Sequence, residues 1–277
     1  MFGVSPKFFV VRAGEDFTVD DYISLLGRLR PLGLESFQGE IFRSSQLEDW
    51  ERNARRLEKR RAELGLRQDM FVAHFLIGGS FSSGNLTDQR WEGYFSRTLD
   101  MLSAFGTLRT VCVPAGKYTD DGTLTREMAE SLMEDRLIHY ASMAEEQGLN
   151  FAVEVITGSL LGYDRLAEIR RKYHLGNFGL NLDTGHANIM MGKEISSVPS
   201  MLPVYGTHIK DNDGRNPDEL RPGKGTIDWK ELVASLERSG YTGSYDFELS
   251  SPDDAEYPAA EKYLDQFING NKTGGNL

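Results

Sequence analysis

Short apolar runs alternate with longer amphipathic stretches from one end of the chain to the other. The runs fall at 2–5, 34–37, 70–76, 108–113, 150–155, 178–182, 204–209 and 244–249, and each reads as a short buried strand. Between them, apolar residues recur at helical spacing. Ile23, Leu25, Leu26 and Leu29 share one face over about 18–30, where Thr18 or Asp20 caps the helix and Pro31 and Gly33 stop it. Leu47, Trp50, Ala54 and Leu57 keep the same spacing over 45–64. Further helices are predicted over 88–105, 125–147, 163–173, 228–239 and 253–268, with a short one near 196–202. Glycines and serines make 78–84 a mobile loop, and 211–226 is a polar loop.

Strands that alternate with helices imply a parallel sheet, because each crossover needs a helix. Eight such units in this length match a closed (β/α)8 barrel, the TIM-barrel form of the α/β class. An open doubly wound sheet is the competing architecture, and it wants a glycine-rich phosphate loop after the first strand. Gly3-Val4-Ser5-Pro6 stands there, with no G-x-G-x-x-G. We read 1–277 as one barrel domain with a flexible tail at 269–277.

Charge and cysteine content narrow the setting. The net charge is −11, from 42 acidic and 31 basic residues, which argues against nucleic acid as a partner. The basic run Arg55, Arg56, Lys59, Arg60 and Arg61 is interleaved with Glu51, Glu58 and Glu63, the pattern of a solvated helix face. Cys112, the single cysteine, lies in an apolar strand and should be buried and inert, so no disulfide framework exists. Phe8, Phe9, Val10 and Val11 form too short a run for a signal segment, and no run reaches membrane-spanning length. The expectation is a cytoplasmic protein with no membrane partner; self-association into a homo-oligomer is left open.

The candidate chemistry lies at strand ends. The run 178–182 stops in Asp183, Thr184, Gly185 and His186, so one turn can aim a carboxylate and an imidazole at a common point. A bland alternative makes Asp183 a helix cap and His186 a surface residue. The fifth, seventh and eighth strands end in Glu154, His208 and Glu248. Glu154 alone could be an internal ion-pair partner, and His208 a core histidine. Ionisable groups in apolar strands are costly unless paired or metal-bound. Together at neighbouring ends, Glu154, Asp183, His208 and Glu248 make a divalent metal site rich in hard oxygen donors, suited to Mn2+ or Mg2+.

Several spaced motifs in the second half resemble the xylose-isomerase-like TIM-barrel superfamily of sugar isomerases, epimerases and endonuclease IV. They are Val153-Glu154, Leu182-Asp183-Thr184-Gly185-His186, Thr207-His208-Ile209-Lys210-Asp211-Asn212-Asp213-Gly214, Pro222-Gly223-Lys224-Gly225-Thr226-Ile227-Asp228-Trp229, Gly240-Tyr241-Thr242-Gly243 and Phe247-Glu248. The resemblance implies one divalent ion on Glu154, Asp183, His208 and Glu248, Mn2+ ahead of Mg2+, Co2+ or Zn2+. It also implies Glu154 and Glu248 as a catalytic acid/base pair, with His186 on substrate oxygens and His74 lining the pocket.

This chain also departs from the pattern. The histidine that endonuclease IV carries at the fourth strand is replaced by Pro114, and its Asp-x-His falls on 217–219, so a three-zinc nuclease site cannot form. Ile156 replaces the lysine of xylose isomerase, which argues for proton transfer over hydride shift. Leu160 and Glu219 replace a glutamate and a substrate arginine of ketose 3-epimerases, leaving Arg215 or Arg221 to contact substrate. Lys210 anchors a substrate oxygen or pairs with an acid of its own loop, such as Asp213. The expected function is a metal-dependent isomerase or epimerase of a sugar, keto-sugar or polyol. A dehydratase of a keto-inositol is the first alternative, ahead of a non-catalytic ligand-binding barrel or a nuclease.

Overall fold

The computed structural model of the chain describes residues 1–269. The tail expected at 269–277 therefore lies outside the described residues except for Asn269, whose N–H donates to Asp265 O at the end of the last helix.

Eight staves form the barrel: β1 (Phe2–Val4), β2 (Ser36–Phe37 and Gly39–Ile41, interrupted at Gln38), β3 (Met70–Ala73), β4 (Thr110–Ala115), β5 (Asn150–Val155), β6 (Phe178–Asp183), β7 (Val204–His208) and β8 (Tyr245–Phe247). Each pairs in parallel with the next in sequence from β2 to β7, and β1 lies between β8 and β2. A parallel bridge between Ile209 and Phe247 links β7 to β8 and closes the ring. The fold is an α/β barrel, as the alternation of runs predicts.

Alternate residues of each stave face opposite ways. One set, including Val111, Val113, Phe151, Val153, Leu180 and Phe247, packs against the surrounding helices. The other points into the barrel, where Met70, Val72, Cys112 and Ala152 form a separate small cluster. Cys112 is fully buried, and that burial pushes its thiol well above the usual range, out of reach of thiolate chemistry at neutral pH. One step further along the same inward set come the residues of the barrel mouth.

Local sequence explains most boundaries. Thr18 rather than Asp20 caps the helix Val19–Leu26: its hydroxyl accepts from Asp21 N–H, and the Asp21 carboxylate accepts from Thr18 N–H in return. At four places the structure corrects or adds to the sequence pattern. The run around Phe8 is a helix, Lys7–Ala13, with Phe8 and Phe9 buried. The region 78–84 is not only loop, since Ser80–Phe81 pairs with Lys117–Tyr118 and Ser83–Thr87 is helical. The glycine turn after Asp183 is the start of a helix, Thr184–Met191. Pro114 lies within its strand, although proline lacks the ladder N–H: β3 pairs only as far as Cys112, so the missing N–H of Pro114 lies where no neighbour on that side needs it.

Candidate metal centre

Two staves end in a ligand-type side chain, β6 in Asp183 and β7 in His208; Glu154 is the last residue but one of β5, and Glu248 follows β8 by one residue. One donor atom from each of the four lies within 4.8 Å of all the others. Glu154, Asp183 and His208 are buried, while Glu248 is partly open to the cavity above. Among the described residues no second group of this kind exists, and Pro114, a non-donor, stands in register beside Glu154.

Asp183 caps a helix with one oxygen and turns the other toward the cluster. Its Oδ1 accepts the His186 N–H at 2.8 Å and caps the helix Thr184–Met191. Its Oδ2 faces Lys210 Nζ at 2.8 Å as an ion pair but makes no hydrogen bond. Burial lifts the Asp183 carboxyl to about 6, against the pull of Lys210 and His186.

His208 Nε2 lies 2.8 Å from Gln38 Oε1, which leaves Nδ1 facing Glu154 Oε2 at 3.2 Å and Glu248 Oε2 at 3.5 Å. Nδ1 is a buried nitrogen without a hydrogen bond. Burial alone would lower the imidazole, but the two carboxylates raise it to about 10. The same attraction holds Glu154 below the usual carboxylate range in spite of its burial. A lone pair on Nδ1 cannot rest against two carboxylates. The site needs either a proton there or a cation among the four donors, and three oxygens with one nitrogen suit a hard divalent ion. The residues present therefore fit such an ion.

Lys210 does not pair with Asp213. Asp213 accepts from the backbone of Arg215 and Asn216, while Lys210 reaches back to Asp183 and Glu248, 2.8 Å from each. Gly185 makes room for this: a Cβ there would stand 2.8 Å from Lys210 Cγ and Cε. Burial opposes the Lys210 charge, yet the acids around it raise its pKa well above the ordinary value. Burial likewise opposes the Glu248 charge, and Lys210 and His208 hold that carboxyl far below its ordinary value.

Above the cluster opens a cavity of about 240 Å³. His74, His186 and Lys210 line it. Arg215 and Arg221 do not; Arg215 is exposed, and Arg221 lies 3.0 Å from Glu256. The cavity wall also holds Glu40, which the sequence reading missed. Glu40 Oε1 lies 3.1 Å from His74 Nδ1, and Phe42 packs on the imidazole with ring centres 4.5 Å apart. Burial lowers His74, but Glu40 outweighs it and raises the imidazole. At the mouth, Lys7 Nζ pairs with Glu219 at 2.9 Å. The loop that carries Glu219 is pinned by Asp211, whose buried carboxylate accepts from the backbone of Asn212, Gly223 and Ile227 and from Trp229 Nε1.

The model of the xylose isomerase-like TIM barrel family matches residues 26–267. An uncharacterized protein of Methanocaldococcus jannaschii is 28% identical over 127 residues, which cover 43% of this chain and 43% of that protein, so less than half of that relative is matched. Three solved structures share the fold at low identity. A D-psicose 3-epimerase solved with D-fructose has a TM-score of 0.73 at 16% identity, covering 97% of this chain and 99% of its own. A 3-keto-D-glucoside 4-epimerase from E. coli has 0.71 at 16%, covering 95% and 98%. The IolI protein with a bound zinc atom has 0.68 at 17%, covering 99% and 96%. At these identities the likeness is one of fold alone.

Proposed function

The chain belongs to the xylose isomerase-like TIM barrel family, and from that premise we propose that it is a divalent-metal-dependent isomerase or epimerase of an uncharged sugar, keto-sugar or polyol. The observation that carries this reading is the convergence of Glu154, Asp183, His208 and Glu248, with donor atoms within 4.8 Å, on the floor of a small cavity. The named activities of the sugar epimerases among its structural neighbours agree with it.

The four residues hold the ion, Mn2+ first by donor type. When bound, such an ion polarises a carbonyl or hydroxyl oxygen and acidifies the neighbouring C–H. Glu154 and Glu248 then exchange that proton as base and acid. His74 Nε2 bonds no protein group among the described residues, so it is available to a substrate oxygen; in His186 Nδ1 faces Thr157 at 3.1 Å, and Nε2 is the nitrogen left for substrate. The charges of the cavity support an uncharged substrate. Lys7 is paired with Glu219 and Lys210 with Asp183 and Glu248, so neither lining lysine is left for a phosphate or carboxylate. Glu15 and Glu40 add further acid to the wall.

One observation favours a second reading, a dehydratase of a keto-inositol or related ring. The Glu40–His74 pair puts a proton donor on the wall, apart from the two cluster glutamates. It could protonate a departing hydroxyl while a glutamate takes the C–H proton, giving water and a C=C bond. A screen of Mn2+-loaded protein against keto-sugars and inososes tests both. A stereoisomeric product supports the first reading and loss of water the second; turnover independent of any metal sinks both.

A further inference from the structure

We propose that Gln38, its amide turned by Asp246, is a positioning residue that sets the ring tautomer of His208 and so selects Nδ1 as the metal-binding nitrogen. The inference rests on the metal centre proposed above.

Gln38 sits at the break in β2 and its side chain is buried. Its Nε2 faces two acceptors, Asp246 Oδ2 at 2.9 Å and Thr207 O at 3.3 Å. Turning the amide over would set its oxygen against both of them and its NH2 against the imidazole. Those acceptors therefore fix Oε1 toward His208 Nε2, 2.8 Å away. A carbonyl oxygen only accepts, so Nε2 must carry the proton. A neutral imidazole has one N–H, and Nδ1 is left with its lone pair aimed at the cluster.

Asp246 is itself held in place. Ser36 Oγ donates to its Oδ1 at 2.9 Å and Ser244 Oγ to its Oδ2 at 2.7 Å. The chain of bonds runs from β8 to β2 across the inner face of β1, and Gly3 leaves the gap. A Cβ at Gly3 would lie 1.9 Å from Ser36 Oγ and 2.2 Å from Asp246 Oδ1. No side chain larger than hydrogen fits there without displacing the chain of bonds.

The test uses the full-length protein with Zn2+ alone, a diamagnetic probe, in calorimetric titration and 15N NMR of the imidazoles. Gln38→Met removes the acceptor and should weaken Zn2+ binding by ~10–100-fold, the usual effect of losing a ligand's orienting partner. Gln38→Glu sets a second oxygen against Asp246 Oδ2 and Thr207 O, where the two carboxyls share one proton; with that proton on the outer oxygen the inner one still accepts from Nε2–H, so Zn2+ binding should stay closer to wild type than in Gln38→Met. In the loaded wild type, His208 should show a protonated Nε2 and a metal-bound Nδ1. Equal affinity in wild type and Gln38→Met, equal losses in both variants, or a wild-type spectrum with the proton on Nδ1 would each overturn the proposal. The wild-type spectrum decides the matter even if Gln38→Met fails to fold. A wild type that binds no Zn2+ or Mn2+ instead overturns the metal centre itself, and the proposal with it.

Discussion

Lys210 Nζ stands 2.8 Å from Glu248 Oε2, and the same nitrogen is 2.8 Å from Asp183 Oδ2. Two of the four candidate ligands thus share one ammonium, so a divalent ion and Lys210 compete for the same oxygens. Lys210→Met removes one partner from a buried ionic cluster, a change that typically costs roughly 3–5 kcal/mol. Without added metal, the variant should melt well below the wild type. Mn2+ should raise its melting temperature by more than it raises that of the wild type, since binding energy adds to folding stability. Equal Mn2+ shifts in calorimetry would show that Lys210 does not oppose the ion.

Stoichiometry gives a more direct check. The single four-residue cluster among the described residues predicts one ion per chain. Elemental analysis after reconstitution with Mn2+ and gel filtration should approach one equivalent, and His208→Ala should lose most of it. Three tightly held zinc ions would contradict the single cluster.

The barrel was legible because each stave is a short apolar run between amphipathic helices, and period separates the two kinds of element. Glu154, Asp183 and His208 were legible because each stands at, or within one residue of, the end of such a run. Gln38 and Glu40 were not. The run stops at Phe37 because the polar Gln38 follows it, with Gly39 next, so β2 reads as finished just where its inward residues approach the cavity. Their positions two and four beyond Ser36 were the available signal, since inward residues of a stave recur at every second position. The partner of Lys210 could not be read at all. Local spacing favoured Asp213, and only the close packing over Gly185 returns the lysine to Asp183 and Glu248.

Away from the site, Glu134 makes a pH-dependent contribution to stability. It is buried and receives Tyr173 Oη at 3.0 Å and Lys172 Nζ at 3.3 Å, with Arg165 in contact. Burial alone would raise its carboxyl, but these donors hold it below the ordinary value. A carboxyl depressed in the folded state stabilises above its unfolded pKa, and that contribution fades as pH falls through the folded one. Glu134→Gln should cost about 1–3 kcal/mol at pH 7, the scale of hydrogen bonds to a charged group. The gap should narrow below about pH 4, near the unfolded carboxyl value. A urea-denaturation difference that stays constant from pH 7 to pH 3 would refute the linkage.

The last prediction concerns how hydrogen moves between neighbouring carbons. A hydride shift wants a cationic side chain free to lie by the substrate carbonyl, and proton transfer wants carboxylates beside the reacting C–H. Ile156 lines the cavity where the family resemblance would place a lysine, and it offers no charge. Lys210 is the nearest replacement, but its ammonium is already held by Asp183 and Glu248. Glu154 and Glu248 both line the cavity and can receive a proton. Glu248→Gln keeps shape and one oxygen while removing basicity. It should lose on the order of 10²-fold or more in rate, the scale of general acid–base catalysis, with the protein still folded. A proton resting on a carboxylate exchanges with water, whereas a migrating hydride does not. Turnover in D2O should therefore place deuterium at the reacting carbon of the product, visible by NMR or mass spectrometry. Full-rate product without that deuterium, together with wild-type turnover by Glu248→Gln, would assign Glu154 and Glu248 to holding the ion and leave the hydrogen to move within the substrate.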